Sequence, residues 1–508
     1  MPPCPHAPCP ATLLRTEIIL EGHMRYERSI RHGKLGVRTK LSQGIGAVPD
    51  TIKNWVFNTF TLLFYNQVLG VDAFMVSVAL AIAIVFDAVT DPMVATLSDN
   101  LHTRWGRRHP LMLIASIPLG LCLFAVFVPP AGLGPAGLFG WLLTFTILTR
   151  GFMTLYFVPW AAIAAELSDD YVERTSVMAY RFAIGWTVGV SFPLIVFSVF
   201  MVSTEAYPVG QLNPAGYPAM AALAGCLMAS GALATTLLTW REIPYLRKHA
   251  DAPPAFGFVQ ILRELGAALR YDQFALIFVI LLMIGAIGGT TANIGIYMMT
   301  FFWGLSGEHL RWFAFSALGA VLAFPLVAIV QRRWEKKQIL FTCAIIGLAD
   351  GIILVLLRFM GILPENGDPL LLVILVCAGA LSAGIAVIQG IIGASIIADL
   401  LDEHELNTGQ RQEAMFNAAL SFSGKATSGL GVLVGGLVIT MIAFPTQLAP
   451  AEITPDKVFH LGLVVGILVP LLYLIPASLI RKYRITRARH AEIRAALAAR
   501  AAATSDLA

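Results

Sequence analysis

Residues 74–97 read FMVSVALAIAIVFDAVTDPMVATL, a stretch in which only two side chains, Asp87 and Asp91, carry a charge. A helix needs about 20 mostly apolar residues to cross the hydrocarbon core of a bilayer. This stretch is long enough and apolar enough to do so. An ionisable side chain inside a membrane span is costly. The two acids therefore make this predicted helix the most informative one in the chain.

Stretches of the same kind recur along the chain, and twelve of them are long enough to span a membrane. They lie at 45–70, 74–97, 111–128, 137–164, 177–202, 218–239, 273–300, 310–330, 338–358, 370–398, 412–443 and 458–480. The composition agrees, since 57% of the 508 residues are hydrophobic, 13% are charged and the mean hydropathy is +0.75. A soluble protein carries roughly twice that charged fraction. The sequence therefore predicts an all-α membrane protein with twelve transmembrane helices.

Basic residues divide the loops into two alternating sets. The basic set contains Arg104, Arg107, Arg108, Arg241, Arg247, Lys248, Arg263, Arg270, Arg332, Arg333, Lys336, Lys337 and the tail 481–489. The loops between them have no Lys or Arg, apart from Lys457 in the last one. Cytoplasmic loops carry the excess of Lys and Arg in membrane proteins. We therefore expect the basic loops and both termini to be cytoplasmic.

The longest basic loop separates two halves of six spans each. Basic turns follow spans two and eight, and acidic turns follow spans four and ten. Corresponding features in two halves indicate a transporter built from repeats, with its site near the membrane midplane. The predicted regions are a disordered cytoplasmic tail at 1–40, an N-terminal six-helix bundle at 41–240, a cytoplasmic linker at 241–272, a C-terminal six-helix bundle at 273–480 and a cytoplasmic tail at 481–508.

Asp87 and Asp91 are four residues apart, so they share one face of span two, and Thr90 lies beside them. Two carboxylates this close repel each other in a low-dielectric site, unless a cation lies between them or one is protonated. The pattern predicts a coupling site for Na⁺ or H⁺. The alternative is a structural pair held by Arg, Ser or Thr from neighbouring spans. No other metal site and no cofactor is predicted.

Two cationic side chains also fall inside predicted spans. Arg181, in span five, suits a sugar hydroxyl or a carboxylate through its two-pronged guanidinium, or it extends to the membrane surface instead. Lys425, in span eleven, suits the acids of span two across the interface between the halves. Asp50 and Lys53 begin span one, three residues apart, and are candidates either for the substrate site or for pairing with each other. Trp160 is a candidate for stacking on a sugar ring.

Several segments together resemble the signature of the glycoside–pentoside–hexuronide:cation symporters, the melibiose-permease branch of the major facilitator superfamily. The first two are FDAVTDP at 86–92 and SDNLHTRWGRRHP at 98–110. Three more agree with that family, at 64–70, 158–175 and 398–425. The resemblance covers about residues 40–480.

This resemblance implies the major facilitator fold, in which two six-helix bundles give alternating access to a central site. It also implies that the acids of span two bind the coupling cation with Thr154 as a further ligand, that Arg181 contacts the substrate, and that Lys425 lies near the cation. Charged turns of the superfamily pair across helices and latch the outward-open state. The corresponding residues are Asp99, Arg107, Arg108, Glu173, Arg174, Glu403 and Arg411.

The chain departs from the family at two positions. Melibiose permease has Asn where this chain has Thr90, and an Asp that grips galactosyl hydroxyls where this chain has Phe157. Phe157 and Trp160 are three residues apart and can line one face of span four. We therefore expect a larger or less polar ligand than a galactoside, unless Phe157 packs against a neighbouring helix.

The sequence predicts a secondary transporter that couples symport of a sugar or glycoside to a cation. The alternatives are a transporter of an amphiphile such as a lysolipid, and a membrane sensor that does not transport. An enzyme is not expected, because the spans hold no His cluster or nucleophile–base set, and no nucleotide-binding loop appears. The expected partners are a small-molecule substrate and the lipid bilayer of the plasma (inner) membrane, with no nucleic acid and with the protein as a monomer.

Overall fold

The computed structural model describes residues 16–21, 24–29, 34–101, 103–168, 170–246, 248–249, 263, 266, 269–409 and 413–505. These residues are mostly helical. Eleven helical segments among them are long and apolar enough to cross a membrane, and they coincide with the predicted spans two to twelve. The protein is thus an integral membrane protein built from α-helices.

The helices of the first half are α1 (Val37–Ile45), α2 (Val48–Val56), α3 (Ala73–Asn100), α4 (His109–Val126), α5 (Pro135–Glu166), α6 (Tyr171–Ile195) and α7 (Gly216–Leu238). Those of the second half are α8 (Asp272–Tyr297), α9 (Gly307–Leu310), α10 (Ala317–Arg333), α11 (Lys336–Phe359), α12 (Pro369–Thr408), α13 (Glu413–Met441), α14 (Pro455–Leu463), α15 (Val469–Leu471), α16 (Leu474–Ile480) and α17 (Arg487–Ser505). Wider π-helical turns continue α2, α6, α8 and α14 at Phe57–Thr61, Phe64–Val68, Val196–Phe200, Met298–Phe302 and Val464–Leu468.

The first predicted span is helical over 48–68, but it is not one of the eleven apolar segments. Its polar residues make it less hydropathic than those segments. Several of these residues are buried inside the protein instead of facing lipid. Lys53 is 9% exposed and Asn66 is 2% exposed. The expected count of twelve spans therefore depends on this polar helix.

Side-chain caps set the beginnings of three membrane helices. Asp72, Asp170 and Asp368 accept hydrogen bonds from the first backbone amides of α3, α6 and α12, which leaves fewer unpaired donors at these helix ends. Gly409, with a φ of 74°, ends α12 in the left-handed conformation that glycine adopts readily. The acidic segment 399–405, which we expected to be a turn after span ten, is therefore part of α12.

Helix α3 packs against α5 in its own half and against α13 of the other half, and α13 also packs along α8. Small residues allow such close crossings in membrane proteins. Gly431 on α13 is one of them, because a Cβ there would lie 2.7 Å from the backbone of Gly289 on α8. The close fit holds α13 beside α8, and the packing of α13 against α3 positions the site described below.

Two strands occupy part of the tail that we expected to be disordered. Strand β1 (Thr16–Glu21) pairs antiparallel with β2 (Met24–Ser29), and β2 also pairs with β3 (Lys248–His249) in the linker. The β-branched residues Thr16, Ile18 and Ile19 favour an extended strand. These strands lie outside the membrane helices and leave the all-α membrane fold unchanged. Residues 1–15 lie outside the described part of the chain.

The two ends of the membrane bundle differ in how the halves meet. We call the end with Arg104, Arg107, Arg108, Arg332 and Arg333 the basic end. At the opposite end, hydrogen bonds join the halves. Three of them run from Gln67 to the Pro445 carbonyl (3.1 Å), from Tyr297 to Asn66 (2.9 Å) and from Gln211 to Thr300 (2.9 Å). One continuous apolar core, which includes Phe64, Phe301 and Phe444, also crosses between the halves there. The opposite end is therefore closed.

Candidate functional site

A cluster of charged and hydroxyl groups lies where α3, α5 and α13 meet. The Thr154 hydroxyl lies 2.7 Å from Oδ1 of Asp87 and 2.9 Å from Oδ1 of Asp91. The hydroxyl carries a single hydrogen, so it donates to one carboxylate at a time. The structure thus brings together the two acids of span two and the residue that the family resemblance added to them.

Lys425 closes this cluster from the second half of the protein. Its Nζ donates hydrogen bonds to Oδ2 of Asp91 and to the carbonyl of Asp87, and the second bond is 3.0 Å long. The same Nζ lies 3.8 Å from Oδ2 of Asp87. Lys425 was predicted both as a partner of these acids and as a substrate contact, and the structure places it at the acids.

The cluster also contains Arg150, which the sequence reading missed. Its Nη1 lies 3.4 Å from Oδ2 of Asp87, and its side chain is 15% exposed. The sequence held the signal, because Arg150 lies inside the predicted span 137–164, four residues before Thr154. The rule that ionisable residues inside spans are functional candidates applies to it directly.

Thr90 does not join the cluster through its hydroxyl, although it was predicted to bind the cation. Its hydroxyl donates to the carbonyl of Asp87 at 3.3 Å, within the same helix. Short hydroxyl side chains in helices often bond back to the preceding turn in this way. The described residues also contain no group of three or more His, Cys, Asp or Glu side chains that could hold a metal ion.

A cavity of about 740 Å³ lies between the two halves. Four of the predicted substrate residues line it, namely Asp50, Phe157, Trp160 and Arg181. The rest of the wall is mainly apolar and includes Trp55, Phe182, Trp186, Phe197, Phe313 and Ala383. Phe157 therefore faces the cavity, besides packing against Trp160 with ring centroids 5.3 Å apart.

Arg181 lies over the face of Trp160, with its guanidinium carbon 3.7 Å from the ring centroid. Such a cation–π contact fixes the guanidinium plane. The Trp160 ring is itself held by a hydrogen bond of 3.0 Å from its Nε1 to the Gln43 carbonyl. The side chain of Arg181 is directed at the cavity, and among the described residues it forms no ion pair. Its Nη1 lies 3.6 Å from the Met178 sulfur, which is only a weak acceptor, so its other donors remain available to a ligand, which argues against an extended position at the membrane surface.

Asp50 and Lys53 pair with each other at 3.1 Å. Asp50 lines the cavity, whereas Lys53 is not part of its wall. The prediction that Lys53 contacts the substrate is therefore not supported by its position. Its ammonium instead balances the charge of Asp50 beside the cavity.

The predicted gating residues form ion pairs within the halves. Arg107 and Arg108 both bind the carboxylate of Glu166, at 2.6 Å for Arg108, and Asp99 lies 3.6 and 3.5 Å from the two guanidiniums. Burial lowers the pKa of Arg108, and the charge of Glu166 opposes that shift. All four residues belong to the first half, so this cluster joins α3, α4 and α5 at the basic end and does not tie the halves together.

The remaining gating residues have partners that the sequence did not suggest. Glu173 pairs with Lys40 at 2.9 Å, Arg174 donates to the Ser168 carbonyl at 2.7 Å, and Glu403 accepts a hydrogen bond from Tyr271. Burial, with the Glu403 charge, raises the pKa of the Tyr271 phenol, so its hydroxyl keeps its proton. Arg411 lies outside the described residues. Sequence proximity does not determine contacts between helices, so these partners follow from the structure alone.

We expect Glu166→Gln to destabilise the protein far more than Asp99→Asn. Glu166 is 9% exposed in its side chain and holds two buried guanidiniums, whereas Asp99 is 40% exposed. Removing one partner of a buried ion pair costs about 3–5 kcal/mol, and loss of an exposed pair costs about 1 kcal/mol or less. Thermal unfolding of the purified variants in one detergent measures both effects. Equal shifts in the two variants would contradict this account of the cluster.

The docked C-terminal helix completes the basic end of the second half. Arg487 donates to the carbonyls of Gln331 and Arg332 at 2.5 and 3.0 Å, and Ile493 is fully buried in an apolar cluster of the second half that includes Phe274 and Ile339. His490 lies 3.1 Å from Asp402. The tail that begins at 481 is therefore packed against the bundle in its described part.

Comparisons with known proteins agree with this architecture. The inner membrane symporter YicJ of Escherichia coli is 23% identical, over 88% of this chain and 92% of YicJ. The sodium-dependent lysophosphatidylcholine symporter 1-A of Danio rerio is 34% identical, but over only 30% of this chain and 29% of its own length. The crystal structure of the nucleoside transporter NupG (D323A mutant) has a TM-score of 0.62 at 12% identity, over 89% of this chain and 100% of NupG, which shows a shared fold.

The match to a family model covers nearly the whole membrane region, residues 42–487, and its description is MFS/sugar transport protein. It includes the eleven apolar helical segments, the carboxylate cluster and the cavity. The chain belongs to this family of sugar transport proteins of the major facilitator superfamily.

Proposed function

We propose that the protein is a secondary active transporter that carries a sugar or glycoside together with a cation, Na⁺ or H⁺, by alternating access. One observation carries this proposal. Helix α5 contributes Thr154 to the carboxylate cluster and, three residues later, Phe157 to the cavity wall. An ion that changes the position of Thr154 therefore acts on the same helix that contacts the substrate, which is a physical route for coupling.

The contact between Lys425 and Asp91 gives the coupling a second element. It joins the two halves, so any ion that competes for Asp91 changes how the halves are held. A ligand shifts a conformational equilibrium only through its different affinities for the two states. An ion that binds at this contact would have different affinities for the two states, because the Lys425 contact spans the interface that rearranges during alternating access.

The orientation follows from the charge of the loops. If the basic end is cytoplasmic, the closed opposite end faces outward and the structure represents an inward-facing state. We propose a plasma (inner) membrane location, with both termini in the cytoplasm and a monomer as the transporting unit. YicJ, an inner membrane symporter, supports that location. The family is one of transport proteins, and we propose no enzymatic activity.

Uptake into proteoliposomes tests the proposal. Labelled monosaccharides, glycosides and lysolipids are offered under an imposed Na⁺ gradient, an imposed H⁺ gradient or no gradient. We expect accumulation of a sugar or glycoside that depends on one gradient and collapses with the matching ionophore. Accumulation of lysolipid alone would favour the amphiphile transporter. The apolar cavity wall is the observation that supports this alternative. Ligand binding without uptake would favour a membrane sensor.

Arg181→Lys should weaken substrate binding about tenfold while leaving expression and insertion near the wild-type level. Lysine keeps the positive charge but loses the guanidinium plane that stacks on Trp160 and the paired donors that suit sugar hydroxyls or a carboxylate. Binding of the transported sugar to purified protein measures the change. Arg358→Lys is the matched control, because Arg358 binds Asn366 and the Pro364 carbonyl outside the cavity. Unchanged binding with impaired insertion would make Arg181 a structural residue.

A further inference from the structure

The four carboxylate oxygens of the cluster all have partners within the protein. Oδ1 of Asp87 and Oδ1 of Asp91 face the Thr154 hydroxyl. Oδ2 of Asp87 faces Arg150, and Oδ2 of Asp91 faces Lys425. Two negative charges thus meet two positive ones, and the cluster is neutral before any ion arrives.

Arg150 and Lys425 differ in how firmly each can hold its charge. A guanidinium is not deprotonated in proteins, so the charge opposite Asp87 is permanent. The Arg150 side chain is also held in place, since it is 15% exposed and its guanidinium carbon lies 5.9 Å from the centroid of the Phe57 ring. Its Nε is buried without a hydrogen-bond partner among the described residues. The Asp87 carboxylate is therefore the anchor of this guanidinium.

We propose that Arg150 acts as a tethered counter-charge that occupies the Asp87 half of the ion site and excludes Na⁺ from it. The proposal rests on the proposed function only for the location of the ion site. A Na⁺ ion at Asp87 would have to approach a carboxylate whose Oδ2 already lies 3.4 Å from the guanidinium of Arg150. Two positive charges at such a short distance repel each other strongly where water is scarce. Arg150 is thus a residue that determines ion specificity.

Direct Na⁺ binding to the purified full-length protein tests the proposal without any transported substrate. Na⁺ replaces N-methylglucamine at a constant ionic strength of about 0.1 M, and binding is followed by calorimetry or with radioactive Na⁺. We expect no saturable binding to the wild type. Arg150→Gln should gain saturable Na⁺ binding, with an affinity at least about tenfold above the detection limit of the measurement, and Arg150→Lys, which keeps the charge, should behave like the wild type.

Two further variants locate the effect. The double variant Arg150→Gln with Asp87→Asn should lose the binding that Arg150→Gln gains. Arg358→Gln removes one positive charge far from the cluster and should bind no Na⁺. Arg150→Met serves as a second neutral variant if Arg150→Gln does not fold.

Saturable Na⁺ binding by the wild type that Asp87→Asn removes would overturn the proposal, and so would folded neutral variants that gain no binding. A failure to find sugar uptake would count against the proposed function alone, because the ion measurement needs no sugar.

Discussion

Asp91→Asn should abolish gradient-driven accumulation of substrate, with a loss of at least about a hundredfold in the initial rate of uphill uptake. Asp91 carries the charge that holds Lys425 across the interface of the two halves. An uncharged amide at this position removes the main ion pair of Lys425 and leaves its ammonium with the Asp87 carboxylate alone, whose Oδ2 lies 3.8 Å away. Hydrogen bonds to charged groups contribute about 1.5–3 kcal/mol each, and each 1.4 kcal/mol corresponds to about a factor of ten.

Asp87→Asn should have the same direction of effect, because it leaves the guanidinium of Arg150 unpaired. Uptake against a gradient and exchange across equal concentrations are measured on the same proteoliposomes, which separates coupling from insertion. Asp350→Asn is the matched control, since Asp350 is an acid within a membrane helix that bonds to Ser382, away from the cluster and the cavity. Accumulation at the wild-type level by both variants would remove the coupling ion from this site.

Much of the fold could be predicted from the sequence because the bilayer restricts what can cross it. Backbone groups in lipid must be paired within the protein, so long apolar segments become helices. This argument located the segments that became α3 to α7. It is weaker for 48–68, where polar residues such as Lys53 and Asn66 are buried among other helices. Hydropathy alone does not identify such a helix.

The strands at the N-terminus could not be predicted in the same way. Strand β2 pairs with Lys248 and His249, more than two hundred residues later in the chain. Pairing over such a distance depends on how the linker folds back onto the bundle. A Pro-rich and basic composition in the first forty residues carries no information about that partner.

The site was predictable where spacing along one helix decides it, and less so where contacts between helices decide it. Asp87 and Asp91 lie together because four residues make about one helical turn. Thr90 lies beside them in sequence, but its hydroxyl bonds to the backbone. The partners of Glu166 could be found only from the structure, since Arg107 and Arg108 reach it from the turn before α4. The conformational state of a transporter also decides which latch pairs form.

Phe157 gives a prediction about the substrate itself. Its ring lines the cavity next to Trp160, at the position where the family resemblance places a carboxylate that grips a galactosyl group. A phenyl ring accepts no strong hydrogen bond, so it would leave sugar hydroxyls unpaired at about 1–3 kcal/mol each. The same ring can stack on the apolar face of a sugar or contact a hydrophobic aglycone. We therefore expect glycosides with a bulky apolar aglycone to bind at least about tenfold more tightly than melibiose.

Phe157→Asp should reverse this preference and favour small free sugars, because a carboxylate offers acceptors to their hydroxyls and repels an apolar aglycone. Phe157→Leu is the control that keeps the wall apolar without a ring, and it should retain the preference for the aglycone with weaker binding. Competition binding against one labelled ligand compares all three proteins. A carboxylate at position 157 also has a second effect. Arg181 lies over Trp160, one turn further along α5, and its guanidinium would attract the new carboxylate. A variant that binds neither sugars nor glycosides would show that this new ion pair fills the cavity. Tight melibiose binding by the wild type, or the same ligand order in both variants, would contradict a role for Phe157 in selecting the substrate.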